Sequence, residues 1–191
     1  MLWTSAVTAG FYDLLLYDTA PGEVMPPPSA WPAEREMPTT AGLFKLVLVV
    51  HPQCACSRAS IGELAILMAK FQDKVDAYAL FHAPSSRELE WSKTDLWDTA
   101  ISIPGLKAVI DKDGVIAKRF NALTSGEALL YDPDGKLLFW GGITSSRGHS
   151  GDNLGRDTIT KLLSGVQSEV QQTAVFGCHM TKKLAAAKGE S

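Results

Sequence analysis

The chain of 191 residues has no surplus of positive charge: 18 Lys and Arg stand against 21 Asp and Glu, for a formal net charge of −3. A protein that neutralises phosphates needs such a surplus, so nucleic acid is excluded as the expected partner. Cysteine is scarce and odd in number, three residues at Cys54, Cys56 and Cys178, and a purely structural disulfide framework would leave one thiol over. There is no internal repeat, and no run of about 20 apolar residues of the kind that spans a bilayer. Apolar residues make up 46 % and charged residues 20 %, which fits an ordinary globular chain and excludes a disordered one. The length allows one domain with tails.

What is present comes in blocks. Residues 2–17, LWTSAVTAGFYDLLLY, carry a single charge, Asp13. This block is short for a span and lacks the Lys/Arg start of a secretory signal. It is expected to be an apolar helix, either the second half of a membrane anchor or a helix packed on the domain or a partner. Residues 19–42 hold six of the ten prolines and no apolar period. They predict an extended, semi-rigid stalk rising about 3.1 Å per residue. Apolar head, stalk and folded block in that order describe a domain held off a membrane surface. The expected boundaries are 1–18 for the helix, 19–42 for the Pro-rich linker, 43–180 for the domain and 181–191 for a polar tail.

The run LFKLVLVV at residues 43–50 is near-continuously apolar and β-branched, the pattern of a buried strand. In SRASIGELAILMAKF, residues 57–71, Ile61, Leu64, Ala65, Met68 and Phe71 share one helical face. A strand at 75–81, a helix at 85–99 and strands at 107–111 and 128–132 follow. Each of the last two strands runs into an Asp-x-x-Gly turn, DKDG and DPDG, and the second turn should close a hairpin into 136–140. A last helix is expected over 157–170. The predicted order is β-α-β-α-β-β-α, an α/β domain with a central mixed sheet flanked by helices.

Cys54 and Cys56 fall where the first strand gives way to the first core helix. A thiolate there meets unpaired amides and the helix dipole, an effect of about 0.3–1 kcal/mol, rising to ~2 when partly buried. That moves a thiol from about 8.5 toward about 7, and Arg58 adds to it if it points back at the sulfur. A disulfide between Cys54 and Cys56 would close a very small, strained and easily reduced ring. The bland alternative is a pair of inert buried thiols.

The layout strand-HPQCACSRAS-helix resembles the thioredoxin superfamily. By that resemblance Cys54 matches the family's nucleophilic cysteine and Ser57 falls where the second cysteine of Cys-x-x-Cys stands, so Cys56 or Cys178 would resolve. SGEALLYDPDGKLLFWGG, residues 125–142, is similar to membrane-tethered thioredoxin-like reductases, with Gly126 or Ser125 in place of their cis-proline. HPxCxCSRAS, the DNLG after GGIT, and Phe176-Gly177-Cys178 resemble the bacterial RedB-type proteins over most of the chain. The resemblance implies a thioredoxin-like fold and a thiol–disulfide oxidoreductase without cofactor. Its expected partners are protein thiols and disulfides. The expected form is a monomer, membrane-anchored in a bacterial cell envelope with the domain facing the periplasm or exterior.

The same sulfurs support a second reading. Cys54, Cys56 and Cys178 with His51 and His179 offer thiolate and imidazole ligands, and Met180 a thioether, a donor set suited to copper or zinc. The polar loop GGITSSRGHSGDNLG, residues 141–155, offers Arg147 and His149 for a substrate or anion pocket, while Asp152 and Asn153 are candidates to cap the last helix. His82 reads as a loop histidine, and Trp91 and Trp97 as packing or surface anchors.

Overall fold

The computed structural model describes residues 2–32 and 35–180, so the polar tail expected over 181–191 lies outside the described residues. The elements are α1 (Leu2–Thr19), β1 (Phe44–Val50), α2 (Ala55–Phe71), β2 (Val75–Ala83), α3 (Asp95–Ser102), β3 (Leu106–Lys112), α4 (Val115–Arg119), β4 (Glu127–Tyr131), β5 (Leu137–Gly142) and α5 (Leu154–Leu163). The strands form a five-stranded sheet in the order β3-β2-β1-β4-β5. β1, β2 and β3 run parallel, and β4 and β5 are antiparallel. The most apolar strand thus takes the centre, and DPDG closes the expected hairpin, with Gly135 N donating to Asp132 O at 3.0 Å.

Alternation along the strands builds two cores. Leu46, Leu48, Val50 and Phe81 face α2, α3 and α5, meeting Leu64, Met68, Ala100 and Ile159. Val47, Val49, Tyr78, Leu129 and Tyr131 face the other way, toward Ile116, Ala117 and Phe120.

Four expectations are corrected. The helix expected over 85–99 is a 3-10 turn at Leu89–Trp91 and then α3, which starts late because the Thr94 hydroxyl accepts from Leu96 N at 3.3 Å and sets the N-cap there. α4 was not expected, since five residues are too few to show a period; it opens on Gly114, left-handed at φ 66. α5 spans Leu154–Leu163 rather than 157–170: Asn153 caps it, accepting from Arg156 N at 2.8 Å, and the chain leaves the helix by Gly165.

The largest correction concerns the Pro-rich residues, which do not stand off the domain as a stalk. Asn121 Nδ2 donates to Pro26 O, Tyr131 OH to Pro28 O, Leu137 N to Ser29 O and Trp31 N to Gly135 O. Tyr78 OH donates to Pro38 O, and Thr40 N to Asp76 Oδ2 at 2.5 Å. Met37 is 1 % exposed, and Trp31 packs edge-on against Phe120 and Tyr131 at 5.2 and 5.3 Å. α4 is too short to cover the second face of the sheet alone, so the extended segment completes the cover. Proline suits this role, having few backbone donors to satisfy and little conformational freedom to lose.

α1 projects with Trp3, Phe11, Tyr12, Leu14, Leu15 and Tyr17 exposed. Among the described residues no helix is long and apolar enough to cross a membrane.

Candidate active site

Cys54 is the N-cap residue of α2, extended at φ −106 and ψ 126, with its amide donating to His51 O at 3.1 Å. Its side chain makes no capping hydrogen bond, but it stands at the first turn of the helix, where the Ser57 and Cys56 amides favour the thiolate. Cys178, remote in sequence, arrives from the other side: its sulfur is 3.0 Å from that of Cys54. Ser125 Oγ is 3.7 Å from the same sulfur. The Cys178 hydrogen bond, ahead of the Ser57 amide and Ser125, pulls the Cys54 thiol down to about 4 against the raising effect of burial. That is lower than the helix terminus alone predicts, because a thiol donor was added. Cys178 is pushed far upward, chiefly by holding its proton against Cys54. Cys56, in the first turn of α2, is buried and raised, first by desolvation and then by the Cys54 charge. All three cysteines are free thiols.

The segment that delivers Cys178 is laid along the domain by backbone pairing. Trp140 N donates to Gln171 O at 3.0 Å, Gly22 N to Val175 O at 2.7 Å, Ser125 N to Cys178 O at 2.8 Å and Met180 N to Leu123 O at 2.8 Å. Gly142 permits the approach, since a Cβ there would collide with Ala174 O. Arg147 is brought to the site as well, its Nη1 donating to Gly177 O at 2.8 Å and its Nε to Tyr17 O at 3.0 Å. Tyr17, Asp18, Gln53, Cys54, Arg147 and Cys178 are among the residues around a cavity of about 270 Å³.

The loop carrying Arg147 is itself anchored on α2. Glu63, 1 % exposed, takes Arg156 Nη1 at 2.6 Å and Gly151 N at 2.7 Å. A buried carboxylate needs such partners, and losing one would strand a charge.

Other candidates fall elsewhere. Ser57 is a tie, its hydroxyl accepting from His51 N at 3.0 Å. Arg58 does not point at the sulfur; it pairs with Asp95 at 2.8 Å in solvent, where a carboxylate is the stronger attraction. Of the two residues expected in the proline position, Ser125 faces the sulfur, while Gly126 continues the sheet, donating to Val49 O at 2.7 Å with φ 85. No peptide bond among the described residues is cis. His149 is exposed in the loop, away from the sulfurs' hydrogen bonds. His51, His82 and His179 line a second cavity of about 510 Å³ with Arg87, Trp91 and Lys118. His82 is therefore a cavity residue and not a solvated loop histidine; burial lowers it and His51 alike. The metal ligand set does not assemble: among the described residues no group of three or more His, Cys, Asp and Glu side chains is placed to hold an ion.

One residue escaped the sequence reading altogether. Glu127 is fully buried with both carboxylate oxygens unpaired. Burial pushes its carboxyl up to about 8, the nearby Leu123 and Thr124 amides offsetting only part of that. The signal was available, since Glu127 has the same strand parity as the buried Leu129 and Tyr131.

No protein-family profile matches the chain, and no curated protein matches it. Among solved structures, an uncharacterised conserved protein from Geobacillus kaustophilus superposes with a TM-score of 0.61 at 17 % identity, over 88 % of this chain and 95 % of that one. A hypothetical protein from Sinorhizobium meliloti does so with a TM-score of 0.59 at 17 % identity, over 73 % of this chain and 79 % of that one. The thioredoxin domain of a thiol-disulfide oxidoreductase from Bacteroides vulgatus matches with a TM-score of 0.46 at 20 % identity, over 75 % of this chain and 98 % of that one. At such identities the likeness concerns the fold alone. The mixed five-stranded sheet, with its cysteine at the junction of β1 and α2, is the thioredoxin-like α/β fold expected from the sequence.

Proposed function

We propose that the protein is a thiol–disulfide oxidoreductase in which Cys54 is the nucleophile and Cys178 the resolving thiol. The observation that carries this reading is the 3.0 Å separation of the two sulfurs in front of the α2 N-terminus. The thiolate is the attacking species in thiol–disulfide exchange, and the Cys178 hydrogen bond and the α2 amides favour that form of Cys54. It attacks one sulfur of a protein disulfide, whose partner leaves as a thiolate and takes a proton from water. Cys178 then gives up its proton and attacks the Cys54 sulfur of the mixed disulfide, and the second substrate thiol departs. The products are two substrate thiols and a Cys54 to Cys178 disulfide. Run backwards, the same steps pass a disulfide to a substrate dithiol. No cofactor enters.

The test is exchange with a small aromatic disulfide. Cys54→Ser should abolish it; Cys178→Ser should stall at a mixed disulfide on Cys54, and Cys56→Ser should turn over. Stalling by Cys56→Ser instead would reassign the resolving thiol to the Cys-x-Cys pair.

The RedB-type likeness of residues 51–60 and 176–178 supports placing the protein in a bacterial cell envelope. With no spanning helix among the described residues, the exposed Phe11, Leu14 and Leu15 favour α1 as a surface tether. Leu14→Glu with Leu15→Glu should release the protein from phosphatidylethanolamine–phosphatidylglycerol vesicles; unchanged sedimentation with them would remove the tether.

A further inference from the structure

Cys54 must meet a partner's sulfur, yet it is only 6 % exposed. Part of its cover is the chain's own C-terminal segment. Residues 123–125 present a backbone edge beside the sulfur, and residues 176–180 lie along it. Ser125 N donates to Cys178 O and Met180 N to Leu123 O, both at 2.8 Å, with Thr124 and His179 as an antiparallel bridge pair. Cys178 N donates to Ser125 Oγ at 2.9 Å. This is how an extended peptide adds to an exposed edge: main-chain bonds give hold, and side chains give choice. The fit is close, since a Cβ on Gly177 would collide with the Ser125 carbonyl oxygen. Arg147 holds the segment from the far side through Gly177 O at 2.8 Å, while its guanidinium sits 4.8 Å from the centre of the Tyr17 ring.

We propose that residues 176–180 act in cis as a competing strand on the backbone edge of residues 123–125, where a partner's extended, cysteine-bearing segment would pair, and that Arg147 pins them there. The chemistry rests on the oxidoreductase reading; the occupancy does not. A partner reaches Cys54 when the strand leaves. The Cys54 thiolate then attacks one partner sulfur, the partner's S–S bond breaks, and its other sulfur departs as a thiolate that takes a proton from water. The returning strand displaces the partner's segment and brings Cys178 back to the Cys54 sulfur. Cys178 loses its proton and attacks, the bond from Cys54 to the partner breaks, and the departing partner thiolate takes that proton. Two electrons have passed from the protein dithiol to the partner disulfide, with resolution and product ejection as one movement.

The experiment is the rate of Cys54 alkylation by iodoacetamide in the reduced full chain, read by peptide mass as a function of pH. Arg147→Gln removes a charged hydrogen bond from the strand and should speed alkylation at neutral pH about tenfold. The midpoint of its pH profile should also move upward, because the Cys178 proton no longer faces the sulfur. Gly177→Val should do at least as much and should accumulate mixed disulfide during exchange, since the strand returns poorly. Wild-type alkylation rates in Arg147→Gln would overturn the proposal, and that variant decides the matter if Gly177→Val does not fold. The two readings fail separately. Faster alkylation in the variants of a protein that exchanges no disulfide would refute the oxidoreductase and keep the occupied edge; normal exchange with unchanged alkylation would refute the edge alone.

Discussion

The two faces of the sheet are closed by different means. One is covered by α2, α3 and α5, helices with periodic apolar residues. The other is covered by the five-residue α4, the Pro-rich segment and Met180 from the C-terminal strand. Helices declare themselves through spacing, because one face must repeat every three to four residues. An extended cover has no such obligation: its residues reach inward wherever the sheet leaves room. The helical face gives Cys54 its amides, and the aperiodic segments bring the residues that meet it.

Breaking the helical side at its anchor should have the largest effect. Glu63→Ala leaves Arg156 with only solvent-exposed partners such as Asp152 and frees Gly151, and we expect a loss of about 3–5 kcal/mol in urea unfolding; a loss within 0.5 kcal/mol would mean that the buried pair does not hold the Arg147 loop. On the extended side, Met37→Ala empties a fully buried position and should cost about 2–5 kcal/mol. A free stalk would register nothing there, so this substitution separates a cover from a tether.

Glu127 sharpens the contrast through pH. Its carboxyl stays neutral in the fold up to about 8, whereas the unfolded chain ionises it from its ordinary 4.5. A raised carboxyl of this kind favours the fold below 4.5 and loses that advantage as pH rises toward 8. Wild-type stability should decline across this window, and Glu127→Gln should flatten the decline; equal slopes would show that the carboxyl ionises freely. Smallest of all, Arg58→Ala removes a solvent-exposed pair with Asp95 and should shift stability by no more than about 1 kcal/mol. It should leave the pH profile of Cys54 alkylation where it was, because the guanidinium does not face the sulfur.

Much of the fold was legible in the sequence. The apolar run of β1, the three-to-four spacing in α2 and the DPDG hairpin fix the centre of the sheet and the junction at Cys54. A boundary was lost where capping overrides spacing, at Thr94, whereas Asn153 caps the last helix as the sequence offered, with the helix starting directly after it. The site was legible in part. Cys54 and the Ser125 position follow from the thioredoxin-like layout. The approach of Cys178 does not, because it depends on backbone pairing of residues 171–180 with β5 and with residues 123–125, which leaves no period in the sequence. Two cysteines one residue apart invited the reading of a local pair, yet the sulfur placed 3.0 Å from Cys54 belongs to Cys178.

The most direct test is disulfide mapping of the oxidised full chain by proteolysis and mass spectrometry. A bridge between Cys54 and Cys178, with Cys56 recovered as a free thiol, is the predicted result; a bridge between Cys54 and Cys56, with Cys178 free, would contradict it.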